Sequence, residues 1–193
     1  MFKVLRISFL ALVLASAFPL QAKTEEAMTR AVLTTRTLLN DAHHAMAGDQ
    51  NVPALHSAIN RAFAFDLWER FLIQDLEYAF SKQQRAEFRR LLPGFMVNLY
   101  ITQFDRGLHA QPSVGKARKI RRDYVVSSRF KRADGRDLPV EWRLREIPGH
   151  GALVIDMMVG GTSFLLLKRE EFRAIVAKSD AEGLIAFMRR KAR

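Results

Sequence analysis

The chain has 193 residues, a formal net charge of +11 at pH 7, and a hydrophobic content of 49%. It contains no cysteine, which excludes thiol catalysis and zinc sites with cysteine ligands. In a cytosolic protein this charge would favour a nucleic-acid partner, whereas an exported protein meets anionic lipid head groups and acidic protein surfaces. The alternative is that the basic side chains only keep the surface soluble.

The N-terminal segment, residues 1–22, has the form of a secretory signal peptide. Lys3 and Arg6 precede a short apolar run, and small residues follow it as far as Ala22. Cleavage after Ala22 agrees best with the change to polar sequence, and cleavage after Ala17 is the alternative. An uncleaved anchor is a further alternative, although the apolar run covers only about half of a bilayer. We therefore expect export, which removes nucleic acid as a partner.

Residues 23–193 have the size of one domain, and their first half has helical periodicity. No stretch in them approaches the ~20 apolar residues that cross a membrane, so we expect a soluble mature protein. Ser81 and Gln84 form a capping box at the start of the most apolar helix, which Pro93 should bend. The predicted helices run from Thr24 to Gly48, from Pro53 to Ala64, from Phe65 to Phe80, and from Ser81 through Phe104.

From Val114 onwards the apolar period changes to two, which predicts about four antiparallel strands with one apolar and one charged face. The dipeptide Asp134-Gly135 marks a hairpin turn. An apolar strand at 152–159 and two helices, at about 169–178 and 180–191, finish the chain. Strands that follow helices predict the α+β class: a helical first half, a curved antiparallel sheet and C-terminal helices.

The sequence contains none of the motifs of nucleophilic, nucleotide-dependent or dinucleotide-dependent enzymes. Its histidines are isolated, apart from the adjacent pair His43 and His44, and we interpret them as structural. Asp156 interrupts an apolar strand and therefore requires a partner. A hydrogen-bonding role is our expectation and a general base is the alternative. We accordingly predict no enzyme activity, no catalytic residue, no metal and no cofactor.

Several stretches, in the same order and spacing, resemble the MlaC (toluene-tolerance) family. They span about residues 24–191. The matching stretches are Phe65-Asp66, Ser81 to Arg85 with Phe88 and Tyr100, Val140 to Leu144, and Asp156 to Phe164 followed by Arg169 and Phe172. Gly160 stands where the family has glutamate, and Thr162 replaces a valine.

The resemblance implies an NTF2-like shape with a deep apolar pocket between the sheet and the helices. Members of the family carry phospholipid across the periplasm between an outer-membrane lipoprotein–porin complex and an inner-membrane ABC transporter with an MCE-domain ring, which maintains outer-membrane lipid asymmetry. A related branch is associated with hopanoid. We therefore expect a periplasmic, monomeric carrier with bound phospholipid as cargo. A lipid-free transporter adaptor and a periplasmic enzyme with Asp156 as base are the alternatives.

We assign three sets of residues on this basis. Acyl-chain contacts are expected from Phe95, Leu99, Tyr100, Phe104, Tyr124, Val126, Trp142, Leu144, Ile155 and Met157. The final strand cannot line the pocket with both faces, so part of this set is expected to fail. A basic cluster that would meet head groups or an acidic docking face, or would only form a solvated strand edge, comprises Lys116, Arg118, Lys119, Arg121 and Arg122. The turn between the last strand and the following helix is expected to be held by Asp156, Gly161, Ser163 and Arg169.

Overall fold

The helices of the first half form where the apolar period is 3.6. The computed structural model describes residues 18–47, 50–105 and 110–192, so most of the predicted signal peptide lies outside it. The described helices are α1 (Phe18–Met46), α2 (Val52–Ala62), α3 (Phe65–Ile73), α4 (Lys82–Asp105) and α5 (Phe164–Lys191), and a 3-10 turn follows α3 at Glu77–Ala79. Helix α1 thus begins before Thr24, and the predicted third helix ends at Ile73 rather than Phe80.

The second half of the described chain is an open antiparallel sheet in which each strand pairs with the next. The strands are β1 (Ser113–Ile120), β2 (Asp123–Lys131), β3 (Asp137–Ile147), β4 (Gly151–Val159) and β5 (Thr162–Ser163). The predicted α+β class and the meander are confirmed. The two-residue strand β5 was not predicted, because so short a segment shows no periodicity.

Local sequence signals account for the ends of several elements. The backbone N–H of Ser81 donates to the Gln84 side chain at 3.0 Å, and the Gln84 N–H donates to Ser81 Oγ at 3.2 Å, which confirms the capping box. Gly135 adopts φ +79° in the β2–β3 turn, as the Asp-Gly signal requires. Helix α5 begins earlier than predicted, but its two segments meet at a kink where Asp180 has φ 56°.

Helices α1 and α4 have different roles. Helix α1 lies against the sheet, whereas α4 packs mainly on α5, α2 and α3. Helix α4 continues through Pro93. The end of α5 packs closely against Gly94, since a Cβ on Gly94 would lie 2.9 Å from the Ala192 carbonyl oxygen. Among the described elements, α1 thus contacts strands β1 to β4, whereas α3 and α5 reach the sheet mainly at β4.

Candidate functional site

The buried centre of the inner face of the sheet, the face towards the helices, is almost wholly apolar, and the pairs Lys119–Tyr124 and Glu146–Ala152 place charged residues towards one end of it. Tyr124 pairs with Leu144 and Val126 with Trp142 in the β2–β3 register, and all four side chains are buried. A buried polar member of this face is Ser128, whose hydroxyl donates to the Val140 carbonyl at 3.1 Å and accepts from Trp142 Nε1 at 2.8 Å. The Ser128 hydroxyl and the Trp142 indole N–H thus both have hydrogen-bond partners, so their burial in an apolar surface leaves neither polar group unpaired.

The junction of α2 and α3 closes one side of this face. Phe63 lies edge-on to Trp142 with ring centroids 6.5 Å apart, and to Trp68 at 5.1 Å. Trp68 Nε1 and the Ala64 N–H both donate to the Val154 carbonyl, at 3.1 and 3.0 Å. This side is held by hydrogen bonds as well as by ring contacts.

Half-buried apolar side chains lie towards the end of the sheet where β1 begins. By register, Val114 lies opposite Ser128 at this end, and Leu138 lies opposite Phe130. The C-terminal end of α4 also carries half-buried apolar residues, Leu99, Tyr100 and Ile101, which pack against the core. Burial raises the pKa of the Tyr100 hydroxyl to about 12. Half-buried apolar side chains are thus found both at this end of the sheet and at the end of α4.

The residues expected to contact acyl chains are divided among several environments. Tyr124, Val126, Trp142 and Leu144 lie on the inner face. Met157 pairs with Trp142 and is half-buried, whereas Ile155 is left without a partner where the β3–β4 register shifts.

The members of the same set on α4 also differ among themselves. Phe95 packs against Phe172 and Phe187 of α5, with centroids 5.8 and 6.2 Å away. Leu99 and Tyr100 are half-buried. The Phe104 side chain lies outside the described residues.

Two open grooves of the described residues lie away from the inner face. One, of about 440 Å³, lies between α1 and α2 and includes Asp41, His44 and Arg61. The other, of about 460 Å³, follows the start of α1 from Ala22 to Arg30. The inner-face residues Val126, Trp142 and Leu144 are at most 5% exposed.

The structure separates the basic cluster. Arg118 donates to Glu141 on the outer face at 3.0 Å, while Lys119 Nζ lies 3.3 Å from Thr24 Oγ1 of α1. Arg121 and Arg122 are exposed in the β1–β2 turn, and Lys116 is exposed at a register shift within β1. The turn lies at the opposite end of the sheet from Val114, about 20 Å away at 3.3 Å per residue. These residues therefore do not form one surface beside the half-buried apolar end.

The outer face of the sheet is charged. Asp123 is fully buried and accepts from Arg143 Nε at 2.8 Å and from Arg145 Nε at 2.6 Å. Burial opposes ionisation of Asp123, but the hydrogen bonds from Arg145 and Arg143 outweigh it and lower the pKa of its carboxyl group. The two faces of the sheet thus have opposite chemistry.

Asp156 lies within β4, and its carboxylate reaches the start of α5. Its carboxylate accepts from Ser163 Oγ at 2.7 Å, from the Leu165 N–H at 3.2 Å and from the Met157 N–H at 2.8 Å. Ser163 Oγ also accepts from the Leu166 N–H and caps α5. Gly161 occupies the turn itself with φ 85°.

Arg169 has a different position from the other three residues that were assigned to this turn. Its guanidinium donates to Asp75, beyond the end of α3, and lies 5.1 Å from the Phe71 ring centroid. Arg169 therefore ties α5 to α3, and its described contacts do not include the β4–α5 turn.

Sequence reasoning missed Lys168. Its Nζ lies 5.9 Å from the centroid of the Phe95 ring and 5.6 Å from that of Phe164, and Glu171 accepts from it at 2.6 Å. A lysine and a glutamate three residues apart are common on exposed helix faces, so the Lys168–Glu171 spacing gave no signal that this lysine is buried. The contact with Phe95 arises from a different helix and can be seen only in the fold, whereas Phe164 lies one turn before Lys168 on α5.

Two further findings concern the described residues as a set. No group of three or more histidine, aspartate or glutamate side chains in them is arranged to hold a metal ion. Each helix in this part of the chain is too short or too polar to span a bilayer.

The family model for the MlaC protein matches residues 30–190. The chain belongs to the MlaC family. Its fold is also similar to that of a phospholipid-binding protein from Ralstonia solanacearum, solved in complex with a phospholipid: the TM-score is 0.66 at 16% identity, with 84% of this chain and 96% of that chain covered. No protein with a curated description matches the sequence. The predicted family is therefore confirmed, and the similarity at this identity establishes the fold.

Proposed function

We propose that this MlaC-family chain, exported and cleaved after Ala22, is a periplasmic carrier that binds phospholipid by its acyl chains. The observation that carries the proposal is the apolar inner face of an open sheet, in which Ser128 and Trp142 satisfy each other. A lipid-binding protein of the same fold, from Ralstonia solanacearum, supports it. The cargo would travel between an outer-membrane lipoprotein–porin complex and an inner-membrane ABC transporter with an MCE-domain ring.

The physical need for a carrier comes from the acyl chains. Each CH₂ group exposed to water costs roughly 0.8 kcal/mol, so a two-chain lipid does not cross an aqueous space unaided. An apolar face removes this cost without breaking a bond, and net transfer depends on the relative affinities of donor, carrier and acceptor. We propose no catalytic step and no cofactor, because the carboxylate of Asp156 is engaged in the β4–α5 turn.

Entry of the acyl chains would separate the half-buried side chains at the β1 end of the sheet. Met157 and Leu99 are half-buried and pack against the core. Methionine is unbranched and adapts its shape to a ligand at little cost. We therefore expect acyl chains to displace these side chains before they disturb the fully buried Val126 and Leu144.

A transporter adaptor that binds no lipid is the second candidate. The observation that favours it is the burial of the inner-face side chains Val126, Trp142 and Leu144. The two candidates differ in one property, which is whether the purified protein takes up lipid.

Native mass spectrometry tests this proposal. The protein is produced with its own leader, purified from the periplasm and examined for added mass, and the bound material is then extracted. A two-chain phospholipid supports the carrier, and a hopanoid would place the chain in that branch instead. A bare protein that stays bare after incubation with phospholipid vesicles would favour the adaptor.

Met157 and Met158 provide a matched pair of variants. They are neighbours on β4, both half-buried, but Met157 pairs with Trp142 on the inner face and Met158 with Glu141 on the outer face. We expect Met157→Gln to lower the lipid-bound fraction several-fold and Met158→Gln to leave it unchanged. Equal losses in both variants would exclude the inner face as the acyl-binding surface.

A further inference from the structure

Lys168 is a cation at the edge of the buried aromatic layer. Its side chain is only 16% exposed, and its ammonium group lies over the rings of Phe95 and Phe164. Phe164 is in turn 5.9 Å from Trp68, which packs against Phe63. Lys168 therefore places a positive charge at the edge of the aromatic layer that extends from α4 to the sheet.

The environment of Lys168 differs from that of a surface ion pair on the same helix. Arg173 and Glu170 form a pair with the same three-residue spacing, but their side chains are 51% and 57% exposed and gain little from each other. Lys168 has lost most of its hydration, and a desolvated ammonium group needs compensation from anions and ring faces. Such a group interacts more strongly with a bound anion than a hydrated one does.

The donors of Lys168 are not exhausted. An ammonium group has three N–H donors, and among the described residues only Glu171 accepts one of them. Leu166 and Leu167, which directly precede it, are 50% and 57% exposed. Free donors beside exposed apolar side chains match a ligand that is anionic at one end and apolar next to it.

We propose that Lys168 binds the phosphate of a phospholipid head group. The phosphate oxygens accept from the Nζ donors and take over part of the role of Glu171, while the acyl chains lie against the aromatic layer. This inference rests on the proposed function, and it places the head group at the start of α5. The exposed Arg121 and Arg122, at the β1–β2 turn, would then contribute only a general attraction to anionic surfaces.

Binding of two lipids with the same acyl chains tests the inference. Phosphatidylglycerol carries the phosphate and diacylglycerol lacks it, and affinity for each is measured by native mass spectrometry of the full mature chain. We expect Lys168→Met to weaken phosphatidylglycerol binding about tenfold, the typical effect of losing one hydrogen bond to a charged group, and to leave diacylglycerol binding unchanged. Lys168→Arg should retain most of the affinity, and Arg173→Met is the matched control that should change neither.

Glu171→Gln gives a second readout, because it removes the carboxylate that competes with the phosphate. We expect it to tighten phosphatidylglycerol binding. If Lys168 and Glu171 only stabilised the helix, both substitutions would lower the melting temperature and weaken both lipids alike, and that result would overturn the inference.

The remaining outcomes separate the inference from the proposed function. Wild-type protein that binds neither lipid contradicts both. Wild-type protein that binds both lipids equally, with no effect of Lys168→Met, contradicts only the role of Lys168. Inorganic phosphate that binds as tightly as phosphatidylglycerol would identify a free-anion site and overturn the assignment to a head group.

Discussion

Helix α4 is held in different ways before and after Pro93. Before it, Arg89 donates from Nε to the buried Glu69 of α3 at 2.6 Å, and Glu87 accepts from Arg189 of α5 at 2.8 Å. After Pro93, the residues Phe95, Met96 and Val97 are buried. The described side chains that follow them on the helix are half-buried, and their described contacts are mainly apolar. Pro93 also lacks the N–H that would continue the helical hydrogen bonds at this point.

This difference shows how one helix can serve both the fold and a ligand. Charged contacts with short distances fix the first part of α4 to α3 and α5 in one geometry. Apolar contacts lack directional constraints, so the last turns can adjust to an acyl chain without leaving a charge unpaired. The comparison predicts large effects of substitution before Pro93 and small ones near the end of the helix.

The largest contrast is expected between Phe88 and Leu99. Phe88 is fully buried, with ring centroids 6.0 Å from Phe80 and 5.8 Å from Phe172, and we expect Phe88→Ala to lower the free energy of unfolding by about 4 kcal/mol. Leu99 is half-buried, so Leu99→Ala should cost about 1.5 kcal/mol. Urea denaturation of both variants measures the difference. Equal costs would show that the end of α4 is as tightly packed as its start.

A smaller effect is expected from the ion pair with Glu69. The Glu69 side chain is 1% exposed, so Arg89→Met would leave it with Arg85 at 3.5 Å as its nearest cation and lower the free energy of unfolding by about 3 kcal/mol. Arg90 is the control, because its side chain is 73% exposed, and Arg90→Met should cost no more than about 0.5 kcal/mol. Chemical denaturation in low and high salt provides the comparison. Similar losses in the two variants would contradict the anchoring role of Glu69.

The smallest effect concerns pH and Tyr100. Because burial raises the pKa of the Tyr100 hydroxyl from 10.0 to about 12, the folded state favours the neutral phenol. Its contribution is complete below pH 10 and is lost as the pH rises from 10 through 12. We expect the stability difference between wild type and Tyr100→Phe to fall by about 1 kcal/mol between pH 8 and pH 11.

Tyr78 is the matched control for this measurement, because its side chain is 87% exposed. A decline of the same size in Tyr78→Phe would assign the effect to loss of a phenol in general. A difference that stays constant for Tyr100→Phe would show that its hydroxyl reaches solvent.

Much of the candidate site could be predicted because its elements follow local rules. The alternation of apolar residues in β2 and β3 assigned Tyr124, Val126, Trp142 and Leu144 to one face, and the register confirms that they share it. The alternation of apolar residues failed as a guide in β4, where a register shift leaves Ile155 without a partner on β3. A shift of this kind depends on how the neighbouring strand is matched, which periodicity within one strand does not specify.

The sequence by itself determined the α+β class, the capping box at Ser81, the Asp-Gly turn and the family, because each depends on residues close together or on their order along the chain. Only the tertiary structure decided that the basic cluster would be divided, that Phe95 would pack against α5 and that Lys168 would lie over two aromatic rings. These contacts join distant segments, such as Lys168 and Phe95. A pattern states which face of an element is apolar, but the packing of other elements determines what covers that face.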